Sequence, residues 1–201
     1  DESNDGKSGG ERSMSSKVVG PSPSSLGLDG TGGCSLFCFG LGYTSLGLVS
    51  TLKRAGWHVA GTCRSEDRVS SFAAAGVEAH VWRPDDGVGL SSEGMRALMN
   101  ATHILSSVPP VGDFDRDPVL ADAACVDALV ASAAAASPGR YPEKNTTTTK
   151  TRTTLRWVGY LSSTGVYGDK GGSWVDENTV PVPVSPKGIA RYAAEEEWRE
   201  L

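Results

Sequence analysis

The sequence predicts an α/β fold, a Rossmann-type doubly wound parallel sheet, and three observations carry that expectation. Residues 36–39 form a short apolar run followed at once by Gly40-Leu41-Gly42 and a helix-periodic segment, the order strand, glycine turn, helix. Strand-like and helix-like segments go on alternating, the pattern of a parallel sheet covered on both faces by right-handed crossovers. Finally, Ser162-Ser163-Thr164 close a fifth strand-like segment at the carboxyl edge, where open α/β sheets bind their ligands.

In the first helix Leu46, Val49, Leu52 and Ala55 recur at helical spacing, Ser50, Thr51, Lys53 and Arg54 take the other face, and Gly56 ends it. Gly40 and Gly42 allow a tight turn and close approach of a pyrophosphate, while the helix tip at Tyr43, Thr44 and Ser45 aims unpaired N–H groups at it. Ser45 stands where the motif has its third glycine and is still small enough for close helix-to-strand packing. A second strand over 58–62 runs into Cys63, Arg64 and Ser65. An acidic residue about 20 positions beyond the glycines would bind the ribose 2′-hydroxyl of NAD, and none is there. A guanidinium and a hydroxyl suit a 2′-phosphate, so NADP is favoured over NAD. The competing reading of Arg64 is a helix-flanking charge directed at solvent.

Residues 66–75 read as a helix stopped by Gly76, and 78–82 as a third strand ended by Arg83-Pro84-Asp85-Asp86-Gly87. A short helix over 91–99 leads to a fourth strand over 103–107. Val108-Pro109-Pro110 then breaks the chain at the cofactor edge, placing Ser107, Val108 and Pro109 among the expected cofactor contacts. One long helix is expected over 118–136 and a fifth strand over 157–161. Residues 1–33, rich in Gly and Ser, read as a disordered tail ahead of one domain over 34–201. A Thr-rich segment, 138–154, reads as a low-complexity surface insert in that domain.

Composition bounds the function. A net charge of −5 gives no basic footprint for nucleic acid or an anionic membrane, and no stretch approaches the ~20 apolar residues of a membrane span. The four cysteines include no CxxC pair, and His58, His80 and His103 are scattered, so no metal site is expected. Buried thiols fit a reducing compartment, the cytoplasm or an organellar stroma or matrix, rather than secretion. The expected partner is a small-molecule substrate; nothing in the sequence fixes an oligomeric state.

The run Tyr160-Leu161-Ser162-Ser163-Thr164-Gly165-Val166-Tyr167-Gly168-Asp169 resembles the extended short-chain dehydrogenase/reductase superfamily, the NAD(P)-dependent epimerase/dehydratase group, whose fifth strand ends in Ser-Ser-x-x-Val-Tyr-Gly. Gly171-Gly172-Ser173-Trp174-Val175-Asp176-Glu177, and the phrase from Ala101 to Pro110, are similar to the atypical YeeZ-like subgroup. The resemblance covers about residues 35–199, the Thr-rich insert excepted. It implies that Ser163 hydrogen-bonds the substrate oxygen at the reacting carbon, with Ser162 beside the cofactor. It also implies a Tyr-x-x-x-Lys pair on the next helix, and here this chain departs: the tyrosine position is Lys187 and the lysine position Arg191. Arginine stays protonated and cannot exchange protons, and Lys187 could do so only if burial lowered its pKa by several units. Tyr167 and Tyr192 are nearby phenols; Tyr192 lies about 100° round the helix from Arg191. Lys187 and Arg191 have a plainer reading as a solvated pair one turn apart, and the serines as hydroxyls satisfying turn backbone.

Residues 187–201 read as a helix that ends without a capping glycine, so the chain is expected to be a truncated member lacking the substrate region. Two functions stay open. One is an NADP-dependent oxidoreductase or epimerase-like enzyme acting on a small hydroxylated or nucleotide-linked substrate. The other is a catalytically silent NADP(H)-binding regulatory or scaffolding module, which the residues at 187 and 191 favour.

Overall fold

A computed structural model describes residues 33–110, 116–136 and 155–201. The expected tail, Gly33 apart, and the expected insert lie outside the described residues. Five strands form one parallel sheet: β1 (Ser35–Phe39), β2 (His58–Cys63), β3 (Glu78–Val81), β4 (His103–Ser106) and β5 (Trp157–Tyr160). Their spatial order is β3-β2-β1-β4-β5. The chain lays down β1 to β3 in one direction and then crosses back, so the order reverses between β1 and β4. Connections leave these two strands in opposite directions and open a crevice at their carboxyl ends.

The helices are α1 (Tyr43–Arg54), α2 (Glu66–Ala74), α3 (Ser92–Met99), α4 (Pro118–Ala121), α5 (Ala123–Ala136) and α6 (Pro186–Glu200). Along β1 alternate side chains go to opposite faces, and both faces are apolar because both are covered. Leu36 and Cys38 pack with Val49 and Leu52 of α1 and Phe72 of α2. Phe37 and Phe39 pack with Leu98 of α3 and Cys125 and Leu129 of α5, and Trp198 of α6 joins that side.

The single helix expected over 118–136 is two helices. Asp122 breaks it: Oδ1 accepts from the N–H groups of Ala124 and Cys125 at 3.1 and 3.2 Å, and Oδ2 accepts from Trp82 Nε1 at 3.0 Å. An aspartate that satisfies backbone donors ahead of it starts a helix rather than continuing one. The third, fourth and fifth strands each stop one residue short of expectation; the N–H groups of Trp82, Ser107 and Leu161 still bond the neighbouring strand, and Trp82 and Ser107 line the crevice.

Candidate dinucleotide-binding site

The turn after β1 is fixed from three sides. Gly40 has φ +86, a left-handed backbone that favours glycine, and a Cβ there would sit 2.9 Å from Ser107 Oγ. Ser107 Oγ donates to Gly40 O at 2.6 Å, tying the end of β4 to the turn. Gly40 N donates to Thr62 Oγ1 at 2.8 Å, and Leu41 N to Thr62 O at 2.7 Å, tying in the end of β2. Ser45 closes the turn from inside: it is 1% exposed, accepts from Gly42 N and donates to Gly40 O, each at 2.8 Å. The residue in place of the third glycine therefore shapes the turn. Tyr43 and Thr44, in contrast, open to solvent at the helix tip.

Between these strand ends lies a cleft of about 250 Å³. Gly40, Leu41, Gly42, Ser107, Val108 and Pro109 line one part, and Thr62, Cys63, Arg64, Arg68, Arg83 and Asp85 the other. A Cβ at Gly42 would meet nothing within 4 Å, so the turn is uncrowded there and a diphosphate could approach the amides of the helix tip at Tyr43 and Thr44 closely. The glycine turn with its open helix tip suits a diphosphate, and the guanidiniums at the end of β2 suit an anionic group. Arg64 follows β2 directly, is two-thirds exposed, and donates Nη2 to Asp85 Oδ2 at 3.1 Å. Ser65 is the N-cap of α2, but its side chain makes no capping bond, which leaves its hydroxyl available to a ligand.

Sequence reasoning missed Thr62, Arg68, Arg83 and Asp85. Arg68 stands one helical turn beyond Arg64 and donates Nη2 to Leu41 O at 3.0 Å. Arg83 and Asp85 follow the third strand, whose carboxyl end borders the same crevice, and that position was the signal available. Two cysteines border the site without being reactive: burial pushes the Cys38 thiol up to about 11, against hydrogen bonds from Ser45 and Ser107, and burial likewise raises Cys63. Among the described residues no cluster of His, Cys, Asp and Glu could hold a metal, and no helix is long and apolar enough to cross a membrane.

No family model matches the chain. It is 29% identical over 149 residues to Protein YeeZ of Escherichia coli strain K12, spanning 74% of this chain and 47% of that protein. A solved protein from Silicibacter pomeroyi, described as conserved and functionally unknown, is 37% identical with a TM-score of 0.60, over 83% of this chain and 48% of its own. The chain is thus similar to YeeZ and shares the fold of the short-chain dehydrogenases/reductases. That fold recurs in a short-chain dehydrogenase/reductase superfamily protein from Agrobacterium tumefaciens, solved with bound NAD: TM-score 0.53, 19% identity, over 83% of this chain and 44% of that one. The chain thus spans about half the length of the relatives it matches.

At the second edge of the site, the hydroxyls are arranged around a turn. Ser163 is the N-cap of the 3-10 turn Thr164–Tyr167, and its Oγ accepts from Gly165 N at 3.2 Å. As an acceptor there, the hydroxyl keeps its proton free to donate to another oxygen. Ser162 and Thr164 are exposed beside it, and Tyr167 is half-buried. The helix α6 starts close by: Ser185 caps it by accepting from Gly188 N at 3.0 Å, and a Cβ on Gly188 would come within 2.7 Å of Gly165 O. The hydroxyl turn and the helix carrying residues 187 and 191 are therefore pressed together.

The two positions that depart from the family pattern lie apart in environment. Lys187 is exposed. Arg191 turns inward, donating Nη1 to Leu161 O at 2.6 Å and to Tyr160 Oη at 3.3 Å, with its guanidinium 5.7 Å from the Tyr160 ring centre. Burial pushes the Tyr160 phenol up to about 12, with Arg191 only partly offsetting it, so this phenol stays neutral and is not activated. Trp174 is wholly exposed on the loop between the 3-10 turn and α6.

Proposed function

We propose that this chain binds NADP(H) along the cleft and forms the cofactor half of an oxidoreductase or epimerase-type enzyme acting on a small hydroxylated or nucleotide-linked substrate. The observation that carries this reading is the glycine turn, pinned by Ser107 and Thr62 and open at Gly42 at the sheet's reversal point. Tyr43 and Thr44 would hold the diphosphate through the amides of the helix tip, with Gly40 and Gly42, whose own N–H groups are bonded within the turn, giving it room to approach; Arg64 and Ser65 would hold the 2′-phosphate, and Val108 and Pro109 would flank the dinucleotide. Once bound, the nicotinamide supplies reversible hydride exchange with a carbinol or carbonyl carbon. Ser163, its proton uncommitted, orients and polarises the substrate oxygen, with Ser162 adjacent. For the proton, Tyr167 is the candidate, since Arg191 cannot release one and Lys187 is exposed rather than buried. Four free cysteines, three of them buried, support a reducing compartment.

A second reading, a module that holds NADP(H) without turnover, is favoured by one observation. Arg191 is spent on Leu161 and Tyr160 where the family pattern has a lysine that holds ribose. Fluorescence titration with NADPH and NADH, then cofactor oxidation over a panel of sugar nucleotides and ketones with the full-length protein, separates the two. Binding with turnover that Ser163→Ala reduces at least tenfold supports the enzyme, and binding without turnover supports the module. Failure to bind either coenzyme ends both.

A further inference from the structure

At the end of the cleft assigned to the adenosine, Arg64 meets a carboxylate, and the inference drawn from that contact rests on the NADP reading above. Three guanidiniums line that end of the cleft. Arg68 is engaged with the backbone at Leu41 O, and Arg83 donates to Arg64 O at 2.9 Å and pairs with Asp86 at 3.1 Å. Arg64 differs, because its side chain is held by a single carboxylate oxygen of Asp85. The two partners are unequal in freedom. Asp85 is 29% exposed and sits inside the 3-10 turn Pro84–Asp86, which is closed by Gly87 N donating to Pro84 O and by the bridge between Arg83 and Val88. Arg64 is a long side chain, 68% exposed, attached just beyond the sheet. The backbone that carries the carboxylate is held by the turn and its side chain is short, whereas the longer guanidinium arm has more freedom to turn.

We propose that Asp85 is a specificity-determining residue, a resident anion that competes with the 2′-phosphate for Arg64 and so moderates the preference for NADP(H) over NAD(H). A phosphate approaching Arg64 must displace a carboxylate fixed on a rigid turn, and it enters beside that negative charge. A coenzyme carrying only a 2′-hydroxyl leaves the Arg64–Asp85 pair in place. An exposed ion pair of this kind contributes little to stability, so its breakage is within reach of a doubly charged ligand with more acceptor oxygens.

The test measures dissociation constants for NADPH and NADH by fluorescence titration on the wild type, Asp85→Asn, Arg64→Ala and the double variant, with folding checked by circular dichroism. Asp85→Asn is expected to tighten NADPH about three- to tenfold while moving NADH less than twofold, and the NADPH gain should fall below twofold when Arg64 is absent. Unchanged or weaker NADPH binding in Asp85→Asn overturns the inference, because the carboxylate would then be neutral toward Arg64 or would be orienting it. A gain that persists undiminished without Arg64 also overturns it, as simple repulsion. If Arg64→Ala weakens both coenzymes equally, the underlying NADP reading is what has failed. Asp85→Ala provides the same comparison should the asparagine variant misfold.

Discussion

Arg64 carries the sharpest prediction at the scale of single residues. Arg64→Ala should weaken NADPH by about tenfold or more, the loss of one or two charge-assisted hydrogen bonds, and leave NADH within a factor of two. Equal losses in a two-coenzyme titration would contradict a 2′-phosphate role. Asp117 tests a buried charge instead. It is fully buried, Oδ1 accepts from Val119 N and Leu120 N, and Oδ2 has no hydrogen-bonded partner. Burial raises its pKa, only partly opposed by the Trp198 indole and the two backbone donors. A carboxyl raised in the folded state binds protons more readily there than when unfolded, where it titrates near about 3.9. Its share of stability is therefore full below that value and is lost as pH rises toward the folded pKa. Asp117→Asn, which keeps an acceptor for the cap, should gain thermal stability relative to wild type as pH rises above about 4, measured as a difference in Tm. A difference that stays constant as pH rises would show that the charge is not what burial penalises.

At the scale of elements, two junctions hold the site. The first is the turn between β1 and α1. Gly40→Ala combines a left-handed backbone with a methyl against Ser107, and should cost about 1–3 kcal/mol and abolish dinucleotide binding; denaturant melts and titration check both. The second is α6 against the end of β5. Removing the Arg191 guanidinium with Arg191→Met should cost about 1–3 kcal/mol, because Leu161 O and the Tyr160 hydroxyl lose a donor. NADPH affinity should move less than twofold. Retained stability with a tenfold loss of affinity would instead make Arg191 a ribose contact. Helix and strand existence was legible from periodicity, but the break at Asp122 was not. Apolar spacing runs through that position, and the structure shows Asp122 capping the second helix at Ala124 and Cys125 while Trp82, 40 residues away in sequence, holds its other oxygen.

For the whole molecule, the consequence is linkage. A ligand seated on β1, β2 and β4 together binds a surface that the unfolded chain lacks, so saturating NADPH at about 100 times its dissociation constant should add about 2.7 kcal/mol and raise Tm by several degrees. NADH at the same concentration should raise it less, and a Tm unmoved by either would exclude binding at the cleft. The sequence by itself determined the parallel α/β order, the glycine turn and the strand ends that carry hydroxyls, because these depend on residue spacing within a few turns of chain. It also located Arg64, because a fixed count from the glycines leads to the end of β2. Only the tertiary structure decided which side chains remain free for a ligand. Arg64 meets Asp85, Arg191 is drawn to Leu161, Ser45 is enclosed in the turn and Ser163 keeps its proton through contacts whose partners come from different elements or from the far side of a turn. Hydrogen bonding and burial depend on distance in space, which residue spacing along a single chain does not encode.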